Sequence, residues 1–404
     1  MDENEVTAES AHLVRHPRLR SLTGGHERDD GADADDNAEH RQARTQFVRA
    51  EFAKRHSQRI DKDHDGISST AAAIFGCAGI VLTQEERAFF NDVQPFGFIL
   101  FARNCESPDQ VRALCAELRS TVGNARAPIF IDQEGGRVQR LGPPHWRARP
   151  AARRFGELFE RSPEDGREAT YLCARLIAHE LRDVGITANC TPVLDVPVAG
   201  AHDIIGERAY STKPATVIAL GRITVAGHLD TGVLPVIKHI PGHGRAMADS
   251  HLALPRVSAS YADLSTYDFV TFRGVNDAPI AMTAHIVYEA IDPERPATTS
   301  SRVVQTVIRK EIGFRGLLLS DDVSMAALQG PMGKRARGAL IAGCDIVLHC
   351  NGDLNEMKQI AAEIKPLSGE SQRRAETAIA QYRQPAELDI HNAEAHLAAL
   401  MGTA

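Results

Sequence analysis

From residue 74 onward the chain alternates short, uninterrupted apolar runs with longer amphipathic stretches, whereas residues 1–66 are polar and lack that rhythm. The runs span 74–82, 98–101, 129–131, 186–189, 234–237, 280–282, 317–319 and 346–348. Segments 108–122, 167–184, 214–231 and 301–312 carry apolar residues at helical spacing. A strand covered on both faces reads as a continuous apolar run, and strands alternating with helices imply right-handed crossovers and a parallel sheet. Eight repeats within ~280 residues predict a closed (β/α)8 barrel of the TIM type rather than an open sheet. The expected layout is a polar extension without a packed core over 1–70, then one barrel domain over 71–404 whose last helices pack outside the barrel.

The residues just past these runs add an independent clue. They are Asp132, Asn189, Lys238 with His239, His285, Asp321 with Asp322, and His349. In a parallel barrel those positions converge on the C-terminal rim, where barrel enzymes place their chemistry. Polar and charged groups at the mouths of buried strands are costly unless they are paired or used.

Composition narrows the partners. Lys+Arg total 46 against 53 Asp+Glu, giving a formal net charge of -7. That balance argues against nucleic acid, because phosphate binding needs a concentrated positive surface. Seven scattered cysteines form no C-x-x-C pair and are odd in number, which suits a reducing cytoplasm better than a disulfide framework. No apolar run reaches the ~18 residues of a membrane span, and the first twenty residues lack the apolar core of a secretory signal. A cytoplasmic protein acting on a small molecule is the expectation. Asp61, Asp63, Asp65 and Gly66 open like a calcium loop, but Ala72 stands where a bidentate Glu should close it. Ile74-Phe75-Gly76-Cys77 looks like a lipoprotein cleavage box, which must follow a basic and apolar leader; more than seventy mostly polar residues precede it here, so it is set aside unless the true start lies downstream.

Four segments carry candidate chemistry. Asp132-Gln133-Glu134-Gly135-Gly136-Arg137-Val138-Gln139-Arg140 puts a carboxylate at a strand tip, where it can accept hydrogen bonds from vicinal hydroxyls, and paired glycines let the backbone turn beneath a ligand. A βα turn whose Asp and Arg simply pair with each other is the alternative. Lys238-His239-Ile240-Pro241-Gly242-His243-Gly244 leads to Asp249-Ser250-His251, and an Asp two residues before a His can orient the imidazole and favour its protonated form, making a general acid. These histidines could instead ligate a divalent metal together with a carboxylate, so a metal-dependent barrel hydrolase built on His239, His243, His251 and Asp321 stays open at this point. In Ser320-Asp321-Asp322-Val323-Ser324 an apolar strand ends in two acids. A carboxylate there suits the nucleophile of a retaining glycosidase. Adjacent strand residues point to opposite sides, so one acid faces the cavity and the other is structural. Finally, Ile205-Gly206-Glu207-Arg208-Ala209-Tyr210 offers the planar fork of Arg208 to a substrate, or to a surface ion pair.

Taken together, segments 131–140, 205–210, 238–251 and 320–325 resemble the family-three glycoside hydrolases, and within them the β-N-acetylhexosaminidases. The resemblance covers about 74–350. Carried over position by position, it implies Asp321 as nucleophile, His251 as acid/base with Asp249 as its orienting partner, and Asp132, Arg140, Arg208, Lys238 and His239 as sugar-binding residues. It implies neither metal nor cofactor, and a terminal β-linked N-acetylglucosamine on a peptidoglycan fragment as substrate. Ile240 stands where an aromatic is common, and Ala209-Tyr210 where Ser-Phe is usual, which touches fine substrate contacts more than the reaction. A non-catalytic sugar-binding barrel is the rival from a different class. It has no need for Asp321 and an Asp-oriented His together.

Overall fold

The computed structural model describes residues 70–247 and 254–402. Ten strands occur among them: β1 Ala71–Gly76, β2 Pro95–Leu100, β3 Ile129–Ile131, β4 Ala188–Asn189, β5 Leu234–Ile240, β6 Arg256–Val257, β7 Ile280–Thr283, β8 Val287–Tyr288, β9 Leu317–Asp322 and β10 Ile346–His349. Eight of these, all but the short pair β6 and β8, close into a barrel in which every neighbouring pair is parallel. The ring is sealed where β1 pairs with β10 through Ile74↔Leu348. The (β/α)8 architecture expected from the apolar runs is the observed one.

Side-chain parity explains why those runs are apolar throughout. Ala72, Ile74, Ile99, Phe130, Val236, Met282, Leu317, Leu319, Ile346 and Leu348 belong to one buried cluster that fills the barrel. Their sequence neighbours Ala73, Phe75, Leu100, Ile129, Ile131, Ile237, Ala281, Leu318 and Val347 belong to another, packed against the surrounding helices. Alternate residues thus face two different hydrophobic layers, and neither face of a strand tolerates water.

Parity also sorts the rim. Counting outward from Phe130 and Leu319, Asp132 and Asp321 keep the inward phase, while Asp322, Asn189 and His349 point away from the interior. His349 is buried against the Phe75 ring and bonds Glu356 at 2.9 Å, so it does not share the barrel mouth with the other rim residues as the run pattern suggested. Asn189 turns toward the helix Pro214–Asp230 and meets His228 there.

Two boundaries differ from the sequence pattern for identifiable reasons. The first strand covers Ala71–Gly76, not 74–82. Beyond Gly76 the backbone is satisfied by side chains: Asn104 donates to the carbonyls of Cys77 and Gly79, and Glu86 accepts from the Ala78 N–H. Cys77 is buried in this turn. The helix Gly369–Ile379 was expected outside the barrel, but its Ala375, Ala378 and Ile379 join the interior cluster and close the end where the strands begin. There Asp345 accepts from Arg309 and Arg374 at 2.8 and 2.9 Å, Ser371 at 2.8 Å and the Leu318 N–H at 2.9 Å, so the closed end carries a saturated carboxylate. The calcium-like segment 61–66 lies outside the described residues; Ala72, its twelfth position, is a buried β1 residue.

Two-faced burial makes a direct prediction. Leu318→Ala and Leu319→Ala should each destabilise the fold by about 2–5 kcal/mol in chemical denaturation, because each empties a different packed layer. A near-neutral result for either would contradict the assignment of its face.

Candidate active site

The mouth of the barrel holds a pocket of about 240 Å³. Its floor is Ile99, Met282, Leu348 and Cys350, and Asp132, Arg140, Arg208, Lys238, His239, His243 and Asp321 supply its polar wall. Six of the eight residues singled out from the sequence are therefore brought together: Asp132, Arg140, Arg208, Lys238, His239 and Asp321. The other two, Asp249 and His251, lie outside the described residues.

The centre of the polar wall is Lys238, a buried ammonium 2.8 Å from Asp132 and 2.7 Å from Glu134. Asp132 offers its second oxygen to Arg140 at 3.1 Å, and Glu134 grips Arg208 through two bonds of 2.9 Å each. Arg140 in turn lies over the Phe101 ring, 5.2 Å from its centroid. Burial alone would push the Asp132 carboxyl up, but Lys238 and Arg140 outweigh it and hold the group far below the usual carboxylate range. Glu134 is likewise held down, against its burial, by Arg208 and Lys238. Both carboxylates stay charged, and the cations they fix are aimed into the pocket.

Glu134 is a site residue the sequence reading missed. Asp132 and Glu134 are two apart beyond a strand end and therefore share a face, a spacing that signals orientation but not which cation Glu134 holds. Gln133 between them faces the other way. Its side chain donates to the Leu141 carbonyl at 2.9 Å and accepts from the N–H groups of Arg140 and Leu141 at 2.8 and 3.0 Å. One amide thus ties the outgoing and returning arms of the loop, which brings Arg140 back over Asp132. Asn189 repeats the device from β4, accepting from the Gln133 N–H and donating to its carbonyl, each at 2.9 Å. Gly135 has φ 96, and a Cβ there would sit 2.4 Å from the Pro150 carbonyl oxygen, so the turn requires glycine.

Asp195 is the second residue missed. It is fully buried and accepts from His239 Nδ1 at 2.6 Å and from the backbone N–H of His243 at 2.6 Å. In this pairing His239 Nδ1–H donates to the Asp195 carboxylate, which leaves Nε2 to the pocket. The His243 ring lies edge-on to His239 with centroids 5.4 Å apart, and burial together with the charge on His239 pushes it down to about 4, so it is neutral at physiological pH. Among the described residues, no group of three or more His, Cys, Asp or Glu side chains is arranged to hold a metal ion.

Asp321 differs from the other carboxylates. Its Oδ1 accepts the Asp322 N–H at 2.8 Å, and among the described residues it forms no salt bridge. Burial pushes its carboxyl up, but His285, His239, the Asp322 N–H and Lys238 together hold it below the ordinary value. It is a charged carboxylate with lone pairs unclaimed by a cation. Asp322 does the structural work that parity assigns to one acid of the pair: it accepts from Ser324 N–H and Oγ at 2.9 and 2.7 Å and from the Cys350 N–H at 3.2 Å.

Glu134→Gln tests the wall. The change takes from Arg208 its ion-pair partner and from Lys238 one of its two, so stability should fall by about 3–5 kcal/mol in denaturant titration. Affinity for an amino-sugar ligand should fall with it in calorimetry, and wild-type values for both would show that Glu134 does not organise the pocket.

With this geometry in place, comparison with known proteins is informative. Residues 74–381 match the model of the glycosyl hydrolase family 3 N terminal domain. A β-hexosaminidase of Alkalilimnicola ehrlichii is 41% identical over 284 residues, which cover 69% of this chain and 80% of the relative. The crystal structure of native NagZ from Neisseria gonorrhoeae superposes with a TM-score of 0.73 at 31% identity, covering 82% of this chain and 98% of that one. The same Neisseria protein in complex with N-trifluoroacetyl-D-glucosamine gives a TM-score of 0.74 at 30% identity, covering 83% and 98%. The chain belongs to glycosyl hydrolase family 3, among its NagZ-type β-N-acetylhexosaminidases.

Proposed function

We propose that the chain is a retaining exo-β-N-acetylglucosaminidase that removes terminal β-linked N-acetylglucosamine from peptidoglycan fragments, such as N-acetylglucosaminyl-1,6-anhydro-N-acetylmuramyl peptides, during cell-wall recycling in the cytoplasm. The observation that carries the reading is the contrast among the carboxylates of the barrel mouth. Asp132 and Glu134 are committed to cations, whereas Asp321 is ionised and uncommitted. A glycosidase nucleophile needs an oxygen aimed at the anomeric carbon that no cation holds, and of these three carboxylates Asp321 is the one that offers it. The glucosamine derivative bound by the Neisseria relative supports an amino sugar as the occupant of the pocket.

In this mechanism the sugar hydroxyls add to lone pairs of Asp132 and to donors on Arg140, Arg208, Lys238 and His239. Those groups are oriented before substrate arrives, so little reorganisation opposes binding. Asp321 attacks the anomeric carbon as protonated His251, oriented by Asp249, donates its proton to the leaving oxygen. The C–O bond to the aglycone breaks and a glycosyl ester forms on Asp321. Neutral His251 then takes a proton from water, whose oxygen attacks the anomeric carbon, breaks the ester and restores the Asp321 carboxylate. Two inversions give net retention.

The wild-type protein should hydrolyse a chromogenic β-N-acetylglucosaminide and release the β-anomer first, as read by early-time NMR, and Asp321→Ala should abolish turnover. First release of the α-anomer, or turnover in Asp321→Ala near the wild-type rate, would refute the assignment. His251→Ala should slow substrates with poor leaving groups at least tenfold more than activated aryl glycosides, because only the former need proton donation; that ratio corresponds to ~1.4 kcal/mol of differential barrier. Equal losses on both substrate types would count against the acid role.

A further inference from the structure

Beneath the catalytic end of β9 lies a buried hydrogen-bonded chain that the mechanism above leaves unused. His285, fully buried just past β7, places Nε2 2.9 Å from the Asp322 carbonyl and Nδ1 2.7 Å from the hydroxyl of Thr298. The Thr298 hydroxyl also lies 2.8 Å from that of Thr283 and 3.1 Å from the Ala284 carbonyl. Thr283 closes the chain, since its Oγ1 accepts the backbone N–H of Asp321 at 3.3 Å. His285 therefore reaches the Asp321–Asp322 turn from two sides, through the Asp322 carbonyl and through the two threonines.

A carbonyl only accepts, so Nε2 of His285 carries hydrogen. Thr298 has one hydroxyl proton and two acceptors for it. With a neutral imidazole, Thr298 donates to Nδ1. With an imidazolium, Nδ1–H donates to Thr298, which turns its own hydrogen to the Ala284 carbonyl. Thr283 donates to Thr298 in both cases. Every His285 nitrogen keeps a partner in either charge state, so a positive charge can be held there without breaking a bond. A histidine needed only for packing has no use for such a switchable partner.

We propose that His285 is a positioning residue for Asp321: it fixes the turn that aims the carboxylate into the pocket and supplies, from beneath, a positive charge that keeps the carboxylate ionised. The catalytic consequence rests on the reading of Asp321 as nucleophile; the electrostatic one does not. Among the described residues, the other titratable groups facing Asp321 are Lys238 and His239 from β5, His243 from the loop after it, the thiols of Cys190 and Cys350 beyond β4 and β10, and, across the pocket, Asp132, Arg140 and Arg208. Cys344, whose Sγ donates to the Thr298 carbonyl, borders the chain from below. Of the cations, Lys238 is already shared between Asp132 and Glu134, whereas His285 is bonded only to uncharged groups. Among the described residues, a proton held on His285 is therefore bonded to no carboxylate, and its field falls on Asp321.

The test uses the full chain and His285→Gln, whose amide N–H can replace the bond to the Asp322 carbonyl but cannot carry charge. Carboxyl carbon NMR should show the Asp321 titration midpoint rising by about half a pH unit or more, roughly threefold in proton affinity. The acidic limb of kcat/KM should rise by the same amount, since the free enzyme needs the ionised form. Thr298→Val leaves the Nδ1–H of the charged form without an acceptor, so it should move both readouts in the same direction by less, and it serves if the His285 variant does not fold. A midpoint unmoved in the folded variants overturns the proposal, even if the rate falls uniformly. A midpoint that moves while the acidic limb stays fixed supports His285 as the partner of Asp321 and sinks Asp321 as the essential nucleophile instead.

Discussion

Three charges buried at the mouth of a hydrophobic barrel hold the site in shape. Lys238 stands between Asp132 and Glu134, and each carboxylate passes its remaining capacity to an arginine. None of these groups would stay ionised in that position alone, because desolvation strongly penalises an isolated charge. Together they form an alternating chain, Arg140–Asp132–Lys238–Glu134–Arg208, whose members come from the loops after β3 and β4 and from β5 itself. Because the chain satisfies itself, donors face the ligand from fixed positions, and among the described residues Asp321 on the facing strand is left without a salt bridge.

That division of labour among carboxylates links the fold to the chemistry. Asp195 and Asp322 are also acids at strand ends, but both are spent on backbone N–H groups and local partners, Asp195 on the His239–His243 segment and Asp322 on the turn to Ser324 and Cys350. They shape the rim. The carboxylate proposed as nucleophile is the one whose surroundings favour its charge without a cation occupying its lone pairs. Parity along β9 decides which of two adjacent acids takes that place, and the packing of Leu317 and Leu319 inside the barrel enforces the parity.

Much of this was legible in the sequence because the signals are strong where both faces of a strand are buried. The runs at 129–131, 234–237 and 317–319 could belong only to interior strands, and their ends located the rim. The first strand was placed too late because Ala71–Ala73 are small and weakly apolar, while the apolar residues of 77–82 serve a loop held by Asn104 and Glu86. His349 read as a rim residue from its position alone, and only the register of β10 shows that it turns outward onto Phe75. Glu134 and Asp195 were passed over for a common reason. Their importance lies in which buried cation or imidazole they hold, and pairings between residues tens of positions apart are not written in local pattern. The helix Gly369–Ile379 was misplaced because an alanine-rich face gives little sign of which surface it covers.

The most direct measurement of the central claim is to trap the enzyme with a fluorosugar that forms the glycosyl ester but hydrolyses slowly, and to map the labelled peptide by mass spectrometry. The account predicts a single label, on Asp321. A label on Asp132, Glu134 or Asp322, or rapid turnover of activated substrate with no covalent species formed, would contradict it.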